Sequence, residues 1–201
     1  MQLTEIRIGG FGGQGVILSA IVIGKAACIF QDGFSCMTQS FGPEARGGSS
    51  SAQVILSPDP ILYPYVTTPD ILVVMSQEAF TRFVPQLKPG GILIVEQDMV
   101  PVGGKLPEGI RVYGVPATRL AEELGRRMVL NIVMVGFFGA VTNVVDPDAL
   151  RKAVADSVPP AMRELNLKAF DKGFEYGAML VHQLAEKGES EGVLLSLESE
   201  P

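Results

Sequence analysis

The chain has 201 residues, a net charge of −6 and a mean hydropathy of +0.29, with no Trp and with Gly 23 and Pro 14. A length of this kind suits one domain with a substantial core. An acidic chain without a basic stripe excludes nucleic acid as a partner, because phosphate binding needs clustered Lys and Arg.

Residues Leu3 to Gly9 are expected to form a strand that enters a glycine turn. Glu5 and Arg7 interrupt any early apolar run, so a signal peptide is not expected. Gly15 to Phe30 is expected to be a helix, with Ile17, Leu18, Ile21, Val22 and Ile29 on its apolar side. Phe34 to Gln39 suggests a second strand, Ser40 to Ser50 a loop, and Ala52 to Ser57 an alternating strand. Ile71 to Met75 and Ile92 to Val95 are continuous apolar runs, as in strands buried on both faces. The helix expected between them spans Ser76 to Leu87, with Ser76 as its N-cap, and Pro89-Gly90-Gly91 turns the chain into the next strand.

After a further strand at Arg111 to Val115 the pattern becomes helical: Ala117 to Arg127, Val129 to Val144, Pro147 to Val158 and Pro160 to Lys187. Asp146 before Pro147 is a strong helix start, since the carboxylate caps free N–H groups and Pro fits the first turn. The stretch from Met128 to Val145 carries no charge, but Asn131, Gly136, Gly139, Thr142 and Asn143 interrupt it and basic anchors do not flank it on both sides. It is expected to be a buried central helix and not a membrane span. The whole is expected to be an α/β fold, a mostly parallel Rossmann-like sheet covered by helices with a helical C-terminal third. Residues 1–187 are expected to form a single domain, and 188–201 a loose acidic tail.

Two cysteines, Cys28 and Cys36, and the single His182 are too few to hold an iron–sulfur cluster or a structural metal. The expected reading is two reduced, partly buried thiols and a surface or packing histidine. No nucleophile–base pair stands out, so no catalytic or metal-ligating residue is assigned.

Two motifs carry the functional reading. Gly10-Phe11-Gly12-Gly13-Gln14-Gly15 fits G-x-G-x-x-G between a strand and a helix, where small residues let a phosphate or a partner approach the helix N-terminus. A dinucleotide site would also want an acid at the end of the second strand for the ribose hydroxyls, and Thr38-Gln39-Ser40 stands there instead. The second motif, Ser40-Phe41-Gly42-Pro43-Glu44-Ala45-Arg46-Gly47-Gly48, sets one acid and one guanidinium in a loop shaped by Pro and Gly. It can be read as a solvated Glu44–Arg46 pair on a hairpin-like connection. It can also be read as a built loop in which Arg46 grips a carboxylate or phosphate. If the first two strands run parallel, both motifs lie on one edge of the sheet.

These two motifs in this order resemble the gamma subunit of 2-oxoacid:ferredoxin oxidoreductases. Pro69 to Val73, Lys88-Pro89-Gly90-Gly91, Asn131 with Gly136, and Asn166 through Ala169-Phe170 to Gly173-Phe174-Glu175 fit the same family, so that the resemblance runs from about residue 4 to residue 180. The family pattern has Tyr where this chain has Phe41. The resemblance implies a complex that decarboxylates a 2-oxoacid on thiamine diphosphate, passes two electrons through iron–sulfur clusters to ferredoxin, and forms an acyl-coenzyme A. It implies that alpha and beta subunits, with a ferredoxin-like delta subunit as a further candidate, hold the thiamine diphosphate, its Mg and the clusters, and that this chain alone binds none of them.

By the same resemblance Gly10, Gly12, Gly13, Gln14, Gly15, Glu44, Arg46, Gly47 and Gly48 would form an edge facing coenzyme A or a partner. The similarity of Thr38 to Gly48 with Ser76-Gln77-Glu78-Ala79 is to 2-oxoglutarate types, and the complex would be cytoplasmic. The readings that compete with this one are a stand-alone nucleotide-binding dehydrogenase and a purely structural assembly subunit.

Overall fold

The computed structural model describes residues 2–42 and 48–186. Its sheet has six strands: β1 (Thr4–Phe11), β2 (Phe34–Phe41), β3 (Ser49–Ser57), β4 (Ile71–Val74), β5 (Ile92–Glu96) and β6 (Arg111–Val115). Their order across the sheet is β2-β3-β1-β4-β5-β6. The run β1-β4-β5-β6 is parallel, as the strand–helix alternation requires. β3 is the exception. It runs antiparallel to both β1 and β2, so that β2 and β1 still point the same way. The connection Phe41 to Ser49 is therefore a hairpin, and both strands that flank it are longer than the sequence pattern suggested.

One face of the sheet carries α1 (Val16–Ile29), α3 (Ala117–Glu123), α4 (Leu130–Thr142), α5 (Pro147–Ser157) and α6 (Arg163–Glu186). Their buried side chains join Ile8, Val54, Val73 and Ile94 in one core. Among the described residues the other face carries one α-helix, α2 (Gln77–Phe83), whose Ala79, Phe80 and Phe83 pack on Leu72, Val74, Leu93 and Val95. β4 and β5 are buried throughout, which explains their unbroken apolar runs.

Several helix expectations are corrected. α1 buries Val16, Ala20, Val22, Ile23, Ala26 and Ala27, with Ile17 and Leu18 half-buried against the core as expected, while Ile21 and Ile29 stay 42% and 61% exposed. The helix is apolar nearly all round, so periodicity cannot choose its buried face. The small residues go inward because they let the helix approach β2 and β3 closely. α2 ends at Phe83 and continues as a 3-10 turn over Val84–Gln86, where Pro85 lacks the N–H that an α-helix needs. α3 stops at Glu123, and Gly125 reverses the chain with φ 82° before a 3-10 turn at Arg127–Val129.

Other expectations hold. Ser76 Oγ accepts from Ala79 N at 3.2 Å, and Asp146 caps α5 through Asp148 N and Ala149 N at 2.9 and 3.1 Å. α4 is buried from Leu130 through Val141. No helix among the described residues is long and apolar enough to cross a membrane. His182 is an exposed residue of α6, 3.7 Å from Glu186. Cys28 and Cys36 are free and half-buried. The acidic tail lies outside the described residues.

α6 crosses α4 without side chains between them. A Cβ on Gly136 would overlap the Phe170 carbonyl oxygen, and one on Gly173 would overlap that of Val133. On the other side of the core, Glu96 is fully buried at the end of β5, where it accepts from Met99 N at 2.7 Å and Thr118 N at 3.0 Å. Both oxygens hold backbone, so its role is to fix the β5 exit and the start of α3. Glu96→Ala leaves Thr118 N without its partner and Met99 N with only the Glu96 carbonyl, at 3.2 Å. It is expected to cost about 1–3 kcal/mol in urea denaturation, with the slope of the transition unchanged.

Candidate functional site

The carboxyl ends of β1 and β2 lie on the same edge of the sheet, as the sequence argument anticipated. The turn that follows β1 is tied directly to the hairpin loop that follows β2. Gly12 N donates to Gly48 O at 2.8 Å, and Gly42 N donates to Ser49 O at 2.7 Å. Gly10, Gly12, Gly13, Gln14, Gly15 and Gly48 are thereby brought together. Glu44, Arg46 and Gly47 lie outside the described residues, between the two anchored ends.

The turn is braced from within. Phe11 N donates to Gln14 Oε1 at 2.6 Å, and Gln14 Nε2 donates to Met75 O at 2.8 Å. The carboxamide thus links the ends of β1 and β4, and it occupies a backbone N–H that a phosphate-binding turn would offer to its ligand. Gly15 starts α1 at φ 74°, and no side chain caps that helix end. A Cβ on Gly15 would collide with Asn131, whose Nδ2 lies 3.4 Å from Gly15 O. Ser19 Oγ also donates to Gly15 O, at 3.2 Å. α4 therefore holds the turn from behind through the one polar residue in its first turn.

Beside the turn, on the α2 face, a cavity of about 150 Å³ is lined by Gly10, Ser40, Gly42, Ser51, Arg82 and Phe83. Glu78 lines it as well as Arg82, so its charged groups favour neither sign, and it is well below the size of a site for a whole cofactor. Deeper on the same face, the Arg7 guanidinium lies 5.0 Å over the Phe83 ring and donates to Val66 O at 2.5 Å and to the Gln86 side chain. Burial pushes its pKa down, and its contacts hold the loop before β4 against the end of α2. Farther along the edge Arg119 forks onto Asp98 at 2.7 and 3.2 Å, an exposed pair in which Asp98 holds the guanidinium pKa up.

Sequence reasoning did not assign Asn131, Arg7 or Arg82 to this region. For Asn131 the signal was an amide near the start of an uncharged apolar run, and for Arg7 a charge in mid-strand. Arg82 gave none, because it reads as the solvated face of a helix.

The structure adds a second argument against a dinucleotide site. The end of β2 lacks a ribose-binding acid, and β3 separates β2 from β1, so the position where that acid would stand lies one more strand spacing, about 4.8 Å, from the turn. Among the described residues no group of three or more His, Cys, Asp or Glu is placed to hold a metal ion.

Comparison with known proteins completes the picture. Residues 5–176 match the family model described as pyruvate ferredoxin/flavodoxin oxidoreductase. The chain is 49% identical to the 2-oxoglutarate synthase subunit KorC of Methanothermobacter thermautotrophicus, over 85% of this chain and 93% of that protein. It is 45% identical to the KorC subunit of Methanocaldococcus jannaschii, over 85% of this chain and 92% of that one. The crystal structure of a keto/oxoacid ferredoxin oxidoreductase gamma subunit from Geobacter sulfurreducens superposes with a TM-score of 0.80 at 38% identity, covering 90% of this chain and 98% of that chain. On this agreement of motif, fold and sequence, the chain belongs to the pyruvate ferredoxin/flavodoxin oxidoreductase family.

Proposed function

We propose that this chain is the gamma-type subunit of a 2-oxoglutarate:ferredoxin oxidoreductase. The complex converts a 2-oxoacid and coenzyme A to an acyl-coenzyme A and carbon dioxide, and ferredoxin takes the two electrons. The observation that carries the reading is the likeness to two 2-oxoglutarate synthase subunits at 45% and 49% identity over nearly their full lengths. Residues 1–187 act as one unit in that complex, which is cytoplasmic.

The residues present do not fit the complex's own redox and thiamine chemistry. Two Cys and one His in the whole sequence cannot ligate a four-thiolate cluster. Thiamine diphosphate, Mg and the clusters are therefore assigned to alpha and beta subunits and a ferredoxin-like delta subunit. This chain's contribution is the edge built by Gly10, Gly12, Gly13, Gln14, Gly15 and Gly48, with Glu44, Arg46 and Gly47 in the loop between. Coenzyme A is too large for the neighbouring cavity, so it would meet this edge across open surface, closed on its other side by the thiamine-bearing partner. Arg46 would hold an anionic group there, and the glycines would let the two chains approach closely.

The test is reconstitution. The purified chain alone is expected to be colourless and to reduce neither ferredoxin nor a viologen dye with 2-oxoglutarate and coenzyme A. Mixed with its partner subunits it should restore turnover that those subunits lack. Turnover by the isolated chain, or full activity of the partners without it, would overturn the proposal.

A further inference from the structure

The bonds on either side of β1 fix which way its backbone groups point. Gly12 N donates to Gly48 O on the β3 side, and Gly9 O accepts from Met75 N at 2.9 Å on the β4 side. Successive residues of a strand turn their backbone groups to opposite neighbours, so the Phe11 N–H faces β4. The parallel register sets Gly9 beside Val74, and the next rung of that ladder would run from Phe11 N to Met75 O.

That rung is not made directly. The Gln14 carboxamide lies between the two groups, accepting from Phe11 N at 2.6 Å and donating to Met75 O at 2.8 Å. A side-chain amide stands where the two main chains would have met, like an inserted peptide unit. Its oxygen lies over Gly10, where a Cβ would come within 2.6 Å of it, so only glycine leaves it room. Its nitrogen also lies 3.8 Å from Met99 Sδ, beyond the end of β5. One carboxamide thus spans the ends of three strands.

α1 leaves β1 for one face of the sheet and α2 leaves β4 for the other, so these two strands flank the crevice where an open α/β sheet takes its ligand. In this chain Gln14 fills the mouth of that crevice with both of its polar atoms engaged inward. Gly12 and Gly13 beside it are exposed, and Gly13 N makes no hydrogen bond among the described residues. The residue that holds the turn and the residues that face outward are therefore different ones.

We propose that Gln14 is the positioning residue of the coenzyme A edge: as an inserted rung it holds β1 and β4 apart and sets the posture of the glycine turn, without touching the ligand. This rests on the reading of that edge within the oxidoreductase complex. An apolar side chain of the same length cannot replace it, because Phe11 N and Met75 O would close on each other or take up water. A carboxylate cannot either, since it accepts from Phe11 N but repels Met75 O. In both cases the turn moves, and with it Gly48, which is bonded to Gly12 N at 2.8 Å. The thiamine and 2-oxoacid sites, assigned to other chains, stay where they are.

The test is steady-state kinetics of the reconstituted complex carrying Gln14→Met or Gln14→Glu at neutral pH. Both should raise KM for coenzyme A about tenfold or more, the scale on which a misplacement of about 1 Å acts. KM for 2-oxoglutarate and kcat should stay within about twofold of wild type. A residue that only stabilised the fold would instead lower the amount of active complex, so that kcat fell and both KM values held. Gln14→Glu keeps the Phe11 bond, and it answers the question if Gln14→Met does not fold. The Phe11 amide should exchange slowly with solvent in wild type and in Gln14→Glu, and fast in Gln14→Met. In the wild-type complex its protection should persist when coenzyme A is added. Loss of that protection on adding coenzyme A would make Gln14 a ligand contact and overturn the proposal. So would an unchanged KM for coenzyme A in the variants, or a fall in kcat with KM fixed. Partner subunits fully active without this chain would instead remove the oxidoreductase reading, and the proposal with it.

Discussion

Gly173→Val is expected to abolish the folded state. The Gly173 Cα faces the Val133 carbonyl oxygen so closely that even a methyl group would overlap it, and the obstacle is helix backbone, which cannot rotate aside. Overpacking against movable side chains costs about 1–3 kcal/mol. Here the helices must separate along the most extensive helix–helix contact of the fold, so the loss should exceed about 4 kcal/mol, comparable with the whole stability of a domain this size. Gly136→Ala should behave alike, because its methyl group would meet the Phe170 carbonyl oxygen. Gly13→Ala is the control. Gly13 has φ 94° but open space around the Cβ position, so it should lose only about 1–2 kcal/mol from backbone strain. Circular dichroism and urea titration of the three variants separate the cases. A cooperative Gly173→Val transition near the wild-type midpoint would refute the packing account.

Arg46→Ala is expected to have a large effect of the opposite kind. The isolated chain should melt within a degree or two of wild type if Arg46 serves a ligand or partner and not the fold, since a substitution that removes no packing or cap shifts stability by about 0.5 kcal/mol or less. In the reconstituted complex, losing a charge-assisted pair to an anion or partner carboxylate should cost roughly 10- to 100-fold in kcat/KM for coenzyme A or in subunit affinity. Arg46→Lys should recover only part of it, because a single ammonium cannot make two parallel hydrogen bonds. Normal assembly and a normal coenzyme A response in Arg46→Ala would remove Arg46 from the site.

The parallel half of the fold was legible in the sequence because β4 and β5 announce themselves as unbroken apolar runs between Asp70 and Ser76 and after Gly90-Gly91. Caps at Ser76 and Asp146 were equally plain, being set by local chemistry. The direction of β3 was not, since a strand's alternation is the same whichever way it runs. The buried face of α1 escaped for a related reason: with apolar residues nearly all round, burial was decided by the size of Ala20, Ala26 and Ala27, a tertiary matter. For the site, the convergence of the two glycine motifs followed from strand direction alone. What lay beyond sequence was the bracing of the turn by Gln14 on Met75 and by Asn131 on Gly15, contacts across 61 and 116 residues that no spacing rule contains.

The central claim is that this chain serves a 2-oxoglutarate-specific complex. The direct measurement is to purify the native assembly through a tag on this chain and assay it with coenzyme A, ferredoxin and each of 2-oxoglutarate, pyruvate, 3-methyl-2-oxobutanoate and indolepyruvate. The account predicts a thiamine-containing, iron–sulfur assembly whose kcat/KM is highest for 2-oxoglutarate. Recovery of the tagged chain without a thiamine-dependent partner, or an assembly that prefers another 2-oxoacid, would contradict it.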